Sequence, residues 1–383
     1  MIPIFKPLMN KEEILYELGK IFDSGWIGLG PKTAEFEEKF ANYIGVKYAV
    51  GVNSATAALH LGCRVLGLKE DDEVIVPSMT FVSTAIAPLY CQAIPVFADI
   101  EEDTLCIDPR DVEKKITPKT KVIIPVHYGG HACRMDEIMG IAKKHNLSVI
   151  EDVAHGCGGK YKRAKLGSIG IMGCFSFHAV KNLPTGDGGM VTTNNKEIYN
   201  KLKKLRWVGI SKDTWGRSTE GYSWQYSVDE LGFKYHMNDI IAVIGISQLK
   251  VLDKHNLIRR LIAKKYDEAF RDTSWIETPV EKDYAYSSRH SYVIKVPLRN
   301  ELHEYLRTNG ISTGVHYEPV HHFGIFKNIK TDLPITERVW TKLLTLPLYP
   351  SMSAEEFEKI INEVIKFGKK YNLTTSAIGR RKV

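Results

Sequence analysis

Three side chains with reactive or titratable ends stand beside apolar runs. Lys181 lies in Phe175-Ser-Phe-His-Ala-Val-Lys-Asn-Leu-Pro-Thr-Gly-Asp-Gly-Gly189, between two stretches that read as buried strand, Cys174 to Phe177 and Gly189 to Thr193. Lysine is ordinarily a solvated surface residue. Desolvation in such a place lowers its pKa, and the neutral amine can then attack a carbonyl. Asp152 ends the apolar run Leu147-Ser-Val-Ile-Glu-Asp152, and His155 follows three residues on. The run reads as a short strand from Leu147 to Ile150, with its carboxylates at the C-terminal edge, where open α/β sheets bind ligands. Taken singly, each residue has a plainer reading: a loop lysine, a helix N-cap aspartate and a structural histidine.

The carbonyl compound that suits such a lysine is the aldehyde of pyridoxal phosphate (PLP). That chemistry also needs a carboxylate near the pyridine nitrogen, to keep it protonated so that the ring takes up electrons. Asp152 is the candidate. A phosphate needs backbone N–H donors. Tyr48-Ala-Val-Gly-Val-Asn53-Ser54-Ala55-Thr56-Ala-Ala-Leu supplies a strand running into a helix that starts at small hydroxyl residues. Free N–H groups at a helix start cradle phosphate, although an ordinary Ser/Thr cap has the same sequence. In Val76-Pro-Ser-Met-Thr80-Phe81, Phe81 follows another strand and could lie flat on a planar ring, or sit in the core.

Together these segments resemble the fold-type I PLP enzymes, specifically the DegT/DnrJ/StrS sugar aminotransferase family. The resemblance spans nearly the whole chain. It is carried by Ser24-Gly-Trp26-Ile-Gly, Asn53-Ser-Ala-Thr-Ala-Ala-Leu-His60, Val126-His-Tyr-Gly-Gly, Glu151-Asp-Val-Ala-His155, Phe175-Ser-Phe-His-Ala-Val-Lys181, Gly232-Phe-Lys-Tyr-His-Met-Asn-Asp239, Gly314-Val-His-Tyr-Glu-Pro-Val-His321 and Leu346-Pro-Leu-Tyr-Pro350. It implies that Lys181 is the Schiff-base lysine and Asp152 the partner of the pyridine nitrogen. It places His155 at the ring hydroxyl and Phe81 on the ring face. Ser54, Ala55 and Ser176, with Thr56 beside them, match phosphate contacts. Trp26, His290, His316 and Tyr317 fall where the substrate is approached.

Family dimers also borrow a phosphate ligand from the neighbouring subunit, usually an Asn in a Gly-x-Asn-x-Arg-Met segment. This chain has Lys234 where Asn is usual and His236 where Arg is usual. Lysine binds phosphate as a point charge, so the role survives the change. Relatives that act as sugar 3-dehydratases carry histidine at the position of Lys181, so the lysine argues for transamination.

The elements that must hold these residues follow from the alternation of apolar runs and helical stretches. Residues 1–20 read as a helical arm, amphipathic from Lys11 to Phe22. From about Lys32 to Thr193, short strands such as Glu73-Val-Ile-Val-Pro, Ala93-Ile-Pro-Val-Phe-Ala and Thr120-Lys-Val-Ile-Ile-Pro-Val alternate with helices. The pattern predicts an α/β fold, a mostly parallel seven-stranded sheet wrapped by helices. The expected division is a large PLP-binding domain over 1–245 and a smaller α/β domain over 246–383. Ser211 to Tyr226 reads as a long loop covering the active site. A helix from Asn238 to about Asp253 is expected to connect the domains. Ser291 to Val296 reads as a strand and Ala354 to Tyr371 as the last helix, and the basic tail from Thr374 reads as mobile.

Composition limits the alternatives. The 383 residues carry a net charge of +7 with 44% hydrophobic and 25% charged residues, ordinary for a globular protein. The basic residues are scattered, so runs such as Lys201-Leu-Lys-Lys-Leu-Arg206 read as solvated helix faces, and no nucleic-acid partner is expected. None of the six cysteines forms a CxxC pair, and buried free thiols in a reducing cytoplasm are expected. No signal segment or membrane span is expected. His316, His321 and His322 are interrupted by Pro319 and have no Cys or carboxylate in ligand spacing, so no metal site is expected.

The expected function is transfer of an amino group from L-glutamate to a keto sugar, a nucleotide-linked 4-keto-6-deoxy sugar, by a cytoplasmic homodimer with shared active sites. The alternatives are transamination of a non-nucleotide keto sugar or keto-inositol, another PLP reaction such as a lyase, and a non-catalytic PLP-binding regulator.

Overall fold

The structure, a computed structural model, describes residues 1–211 and 226–373. The expected covering loop lies outside these residues but for its two ends, and so does the basic tail. Twelve strands are described: β1 (Tyr48–Val52), β2 (Glu73–Pro77), β3 (Ile94–Ala98), β4 (Thr120–Ile123), β5 (Ser148–Asp152), β6 (Lys160–Tyr161), β7 (Ala164–Lys165), β8 (Met172–Ser176), β9 (Gly189–Thr193), β10 (Ala285–Tyr286), β11 (Tyr292–Lys295) and β12 (Leu343–Leu346).

Seven of them build one sheet in the order β1-β9-β8-β5-β4-β2-β3. β9 runs antiparallel to both of its neighbours, while β8, β5, β4, β2 and β3 pair in parallel. The strands are short, β-branched and buried on both faces, as a helix-covered parallel sheet requires. Alternate residues go to opposite sides. Ile75, Val149 and Phe175 join one core cluster, and Val74, Val76, Ile150 and Cys174 join the other. The C-terminal ends of β1, β2, β4, β5 and β8 therefore open on one edge, and the start of β9 returns to it.

A smaller C-terminal α/β unit packs around the antiparallel pair β11–β12. Its core takes Ala263, Tyr266 and Phe270 from the helix Asp239–Phe270, and Ile360, Val364 and Phe367 from the helix Ala354–Lys370. The long helix also buries Ala242, Ile246 and Leu252 against the large sheet's core, so one rod spans both. It starts where Asn238 Oδ1 accepts the Ile241 N–H, and the last helix starts with a capping box between Ser353 and Glu356.

Two expectations need correction. The connecting helix ends at Phe270, not near Asp253. His255, Asn256 and Arg259 break the apolar pattern yet are buried, because each lies on an inward face; Asn256 bonds to Cys157 and Asn182, and Arg259 to the Leu348 carbonyl. The N-terminal arm is helical only over Lys11–Ser24. Pro3 and Pro7 are poorly suited to a helix interior, and the first residues instead run along the C-terminal unit. Ile2 bonds through its backbone to Gly310 and Ser312, and the Ile4 carbonyl accepts the Leu348 N–H. All six cysteines are buried and unpaired. Among the described residues no helix is long and apolar enough to cross a membrane.

Candidate active site

A cavity of about 360 Å³ opens at the C-terminal edge of the sheet. Much of its wall comes from the ends of four strands. Ser54, Ala55 and Thr56 follow β1, Thr80 and Phe81 follow β2, Asp152 and His155 close β5, and Ser176 and Lys181 follow β8. His290, His316 and Tyr317 reach it from the C-terminal part of the chain. Eleven residues singled out by sequence thus line one cavity, although they lie on separate segments between residues 54 and 317.

Asp152 is buried at 3% exposure. Its Oδ2 accepts the Thr84 hydroxyl at 2.8 Å and its Oδ1 the Ala154 N–H at 3.0 Å. Burial raises its carboxyl above the ordinary value, while Ala154, Thr84 and the Lys181 charge pull it back. A cation in the cavity would pull it further in the same direction. Burial lowers the Lys181 ammonium to about 8, with Asp152 opposing the shift. About a tenth of Lys181 is thus the neutral amine at pH 7, far more than for an ordinary lysine.

At the start of the helix Ala55–Val65, Ser54 Oγ accepts the Ala57 N–H at 3.1 Å. The Ala55 and Thr56 N–H groups, the first of the helix, have no intrahelical acceptor, since the residues four back belong to β1. β9 runs close beside this turn. A Cβ on Gly189 would come within 2.6 Å of the Ser54 carbonyl group, so only glycine lets β9 approach this turn.

Four rings form a column on one side. Phe5 stacks on His290 (5.1 Å, 7°), His290 on His155 (4.5 Å, 21°), and His155 lies parallel to Tyr317 (5.9 Å, 15°). Gly129 N–H donates to His155 Nδ1 at 3.4 Å, which leaves the proton on Nε2, and Nε2 lies 2.8 Å from Tyr317 Oη. Burial and the Lys181 charge hold His155 neutral, and burial lowers His316 to about 4. The Asn182 amide donates to Asn256 Oδ1 and the Ser288 carbonyl, so its oxygen is left to accept from His290 Nδ1 at 3.1 Å. Phe81 is 57% exposed at the cavity mouth, 6.3 Å from the Tyr317 ring.

Two singled-out residues lie outside the cavity wall of this chain. Trp26 packs over Gly30, its indole N–H donating to the Leu29 carbonyl at 3.0 Å. The Lys234 ammonium sits 3.2 Å from the centre of the Trp207 ring. Its segment nonetheless borders the strand that precedes the phosphate-type turn, since the Asn53 N–H donates to the Tyr235 carbonyl at 2.8 Å. The histidine cluster is split. His316 lines the cavity, whereas His321 and His322 meet Glu337, a carboxylate outside the local spacing that the helix Pro334–Trp340 brings to them.

Sequence reasoning missed Phe5, Thr84 and Asp187 in the wall. Thr84 had a signal: it stands four residues after Thr80 at a helix start, and the two hydroxyls are 2.8 Å apart. Phe5 and Asp187 had none in local pattern.

The model of the DegT/DnrJ/EryC1/StrS aminotransferase family matches residues 9–365. The spore coat polysaccharide biosynthesis protein SpsC of Bacillus subtilis is 41% identical over 374 residues, covering 95% of this chain and 96% of SpsC. The structure of the aminotransferase TlmJ from Streptoalloteichus hindustanus superposes with a TM-score of 0.91 at 31% identity, over 98% of this chain and all of that one. Spr1654 from Streptococcus pneumoniae in its PLP form gives a TM-score of 0.89 at 33% identity, over 96% of this chain and 99% of that one.

Proposed function

The chain belongs to the DegT/DnrJ/EryC1/StrS aminotransferase family, and from that premise we propose that it is a PLP-dependent aminotransferase of a keto sugar. L-Glutamate is the proposed donor and a nucleotide-linked 4-keto-6-deoxy sugar the proposed acceptor, with an amino sugar and 2-oxoglutarate as products. The observation that carries the reading is the convergence of Lys181, Asp152 and the free N–H groups of Ala55 and Thr56 on one cavity.

The residues present fit PLP. A neutral amine, a buried carboxylate and an N–H cradle are its three requirements, and the cavity lies within the ~300–1,000 Å³ usual for such ligands. When bound, PLP supplies an aldehyde for the amine and a ring that takes up an electron pair. Ser54, Ala55 and Thr56 at the helix start, with Ser176 at the end of β8, would hold the phosphate. Asp152 would hold a proton on the pyridine nitrogen, and its bonds from Thr84 and Ala154 fix its orientation. His155 and Tyr317 would line the ring's side, and Phe81 would cover its face at the mouth. Lys181 Nζ, with its pKa near 8, would take the proton from Cα of the donor and deliver it to the carbon that was the cofactor's aldehyde. His290, His316 and Tyr317 bound the room left for the sugar. Lys234, beside the turn at Asn53, is proposed to reach a neighbour's phosphate in a homodimer with shared sites. SpsC, by its name a polysaccharide biosynthesis protein, supports a sugar as the acceptor.

The test is a half-reaction. The PLP-loaded protein with glutamate should release one 2-oxoglutarate per chain and lose its visible absorption. Nucleotide-linked 3-keto and 4-keto sugars should then restore the absorption selectively. A protein that binds PLP on Lys181 yet yields no 2-oxoglutarate would point to a regulator or another PLP reaction.

A further inference from the structure

Two histidines outside the cavity meet a carboxylate from a later helix. His321 and His322 belong to the turn Val320–His322, and Glu337 to the helix Pro334–Trp340. Both Nε2 atoms reach the same oxygen, Glu337 Oε1, at 2.7 and 2.8 Å. The three donor atoms lie within 4.8 Å of one another. The cluster is reachable from solvent, since the Glu337 side chain is 46% exposed and that of His322 27%, against 10% for His321.

The geometry behind these donors is built. His321 Nδ1 lies 2.6 Å from Ser78 Oγ, which also accepts the His321 backbone N–H at 3.3 Å. With no ion bound, Nε2–H donates to Glu337 and the Ser78 hydroxyl can donate to Nδ1; because that hydroxyl oxygen has two lone pairs, it can instead accept from Nδ1–H, which would free the Nε2 lone pair for an ion. Such an outer bond is the one that metal-bound histidines usually make. Glu337 stands on a helix whose start is tied to Asp99, which accepts from Ile335 N, Thr336 N and Thr336 Oγ1 at 2.8, 2.8 and 2.7 Å. A second carboxylate, Glu318, lies 3.9 Å from His322 Nδ1 and adds negative potential.

We propose that His321, His322 and Glu337 form a binding site for one divalent cation of the zinc type. Two imidazoles and one carboxylate are the donors that such ions take, with water in the fourth position. Magnesium and calcium prefer oxygen ligands and fit less well. Bonds of about 2.0–2.2 Å around a tetrahedral ion would open the N···O distances by roughly half an ångström. The half-exposed Glu337 can rotate that far. The ion would clip the turn to the helix. Because the turn follows Tyr317 by three residues and rests on Ser78, two before Thr80, the clip would also steady two segments of the cavity wall. The site does not depend on the aminotransferase reading.

The test uses the full chain loaded with PLP. After treatment with a chelator and buffer exchange, it is titrated with Zn²⁺, and bound metal is counted by mass spectrometry after gel filtration. Co²⁺ is titrated in parallel and its visible spectrum recorded. The expected result is one metal per chain with a Kd in the micromolar range or below, weakened at least tenfold in both His322→Ala and Glu337→Gln. Circular dichroism melting and PLP content identify any variant that fails to fold, in which case His322→Gln, nearer in size to histidine, takes its place. Less than half an equivalent of metal in the unmodified chain overturns the proposal. So does binding that either folded variant retains within tenfold, because the cluster is then a hydrogen-bonded tie only.

Discussion

Asp152→Asn isolates one charge. The carboxylate is buried and held by the Thr84 hydroxyl and the Ala154 N–H. Asparagine keeps the acceptor facing Ala154 if its oxygen takes the place of Oδ1. Its amide would then face Thr84 Oγ1, which can turn, because Thr80 Oγ1 at 2.8 Å and the Phe81 carbonyl at 3.2 Å are alternative partners for its proton. The local structure therefore survives, and with it the helix-start cradle at Ala55 and Thr56. What disappears is the charge proposed to face the pyridine nitrogen. Losing one aimed charge-stabilising contact in a water-poor site costs about 2.7 kcal/mol or more, a factor of about a hundred in rate. The assay is single-turnover loss of visible absorption after mixing the PLP-loaded protein with glutamate, with bound PLP counted independently. The expected outcome is near-full PLP content and a half-reaction slowed about a hundredfold or more. A half-reaction within fivefold of the unmodified protein, with PLP fully bound, would refute the reasoning and leave Asp152 as a cap for the turn at Ala154.

Borohydride reduction of the PLP-loaded protein should fix the cofactor on Lys181, as read by peptide mass spectrometry, and Lys181→Ala should abolish the half-reaction. Capture of PLP by the apo chain should follow the neutral fraction of Lys181, which grows as pH rises. The rate should climb about tenfold per pH unit below 8 and level off above it; in Asp152→Asn the midpoint should move down, because the charge that raises Lys181 is gone. Phe5→Ala removes the outer ring of the column on His290, a contact worth about 0.5–1.5 kcal/mol. PLP titration should show binding weakened several-fold, whereas unchanged binding and turnover would make the arm a bystander. Mixing inactive Lys181→Ala chains with inactive Lys234→Glu chains should restore part of the activity if sites are shared, and an active monomer in sedimentation would rule that out.

The parts of the fold that were legible are those whose signals are local. β2 was read to the residue, from an apolar β-branched run closed by proline. Lys181 and Asp152 stood out because a charged residue beside a buried strand conflicts with its surroundings, and such conflicts mark functional sites. The helix Asp239–Phe270 was cut short for the opposite reason. His255, Asn256 and Arg259 resemble a solvated stretch, and the burial of Asn256 and Arg259 is offset by their partners Cys157, Asn182 and Leu348. Those partners are far away in sequence, so no window along the helix contains the reason for its length.

Phe5 poses the same problem within the site. Nothing in Met1-Ile-Pro-Ile-Phe5 suggests a cavity wall. Its position follows from two backbone ties, Ile2 to Gly310 and Ser312 and Ile4 to Leu348, which lay the arm along the C-terminal unit. They deliver the Phe5 ring to His290, and His290 in turn is set by Asn182, the residue that follows Lys181. Asn182 also binds Asn256 of the long helix. The lysine loop, the N-terminal arm, the long helix and the C-terminal unit are thus joined through one amide and one imidazole. The local sequence around each supplies a single partner, and the joint exists only when the sheet brings all four together.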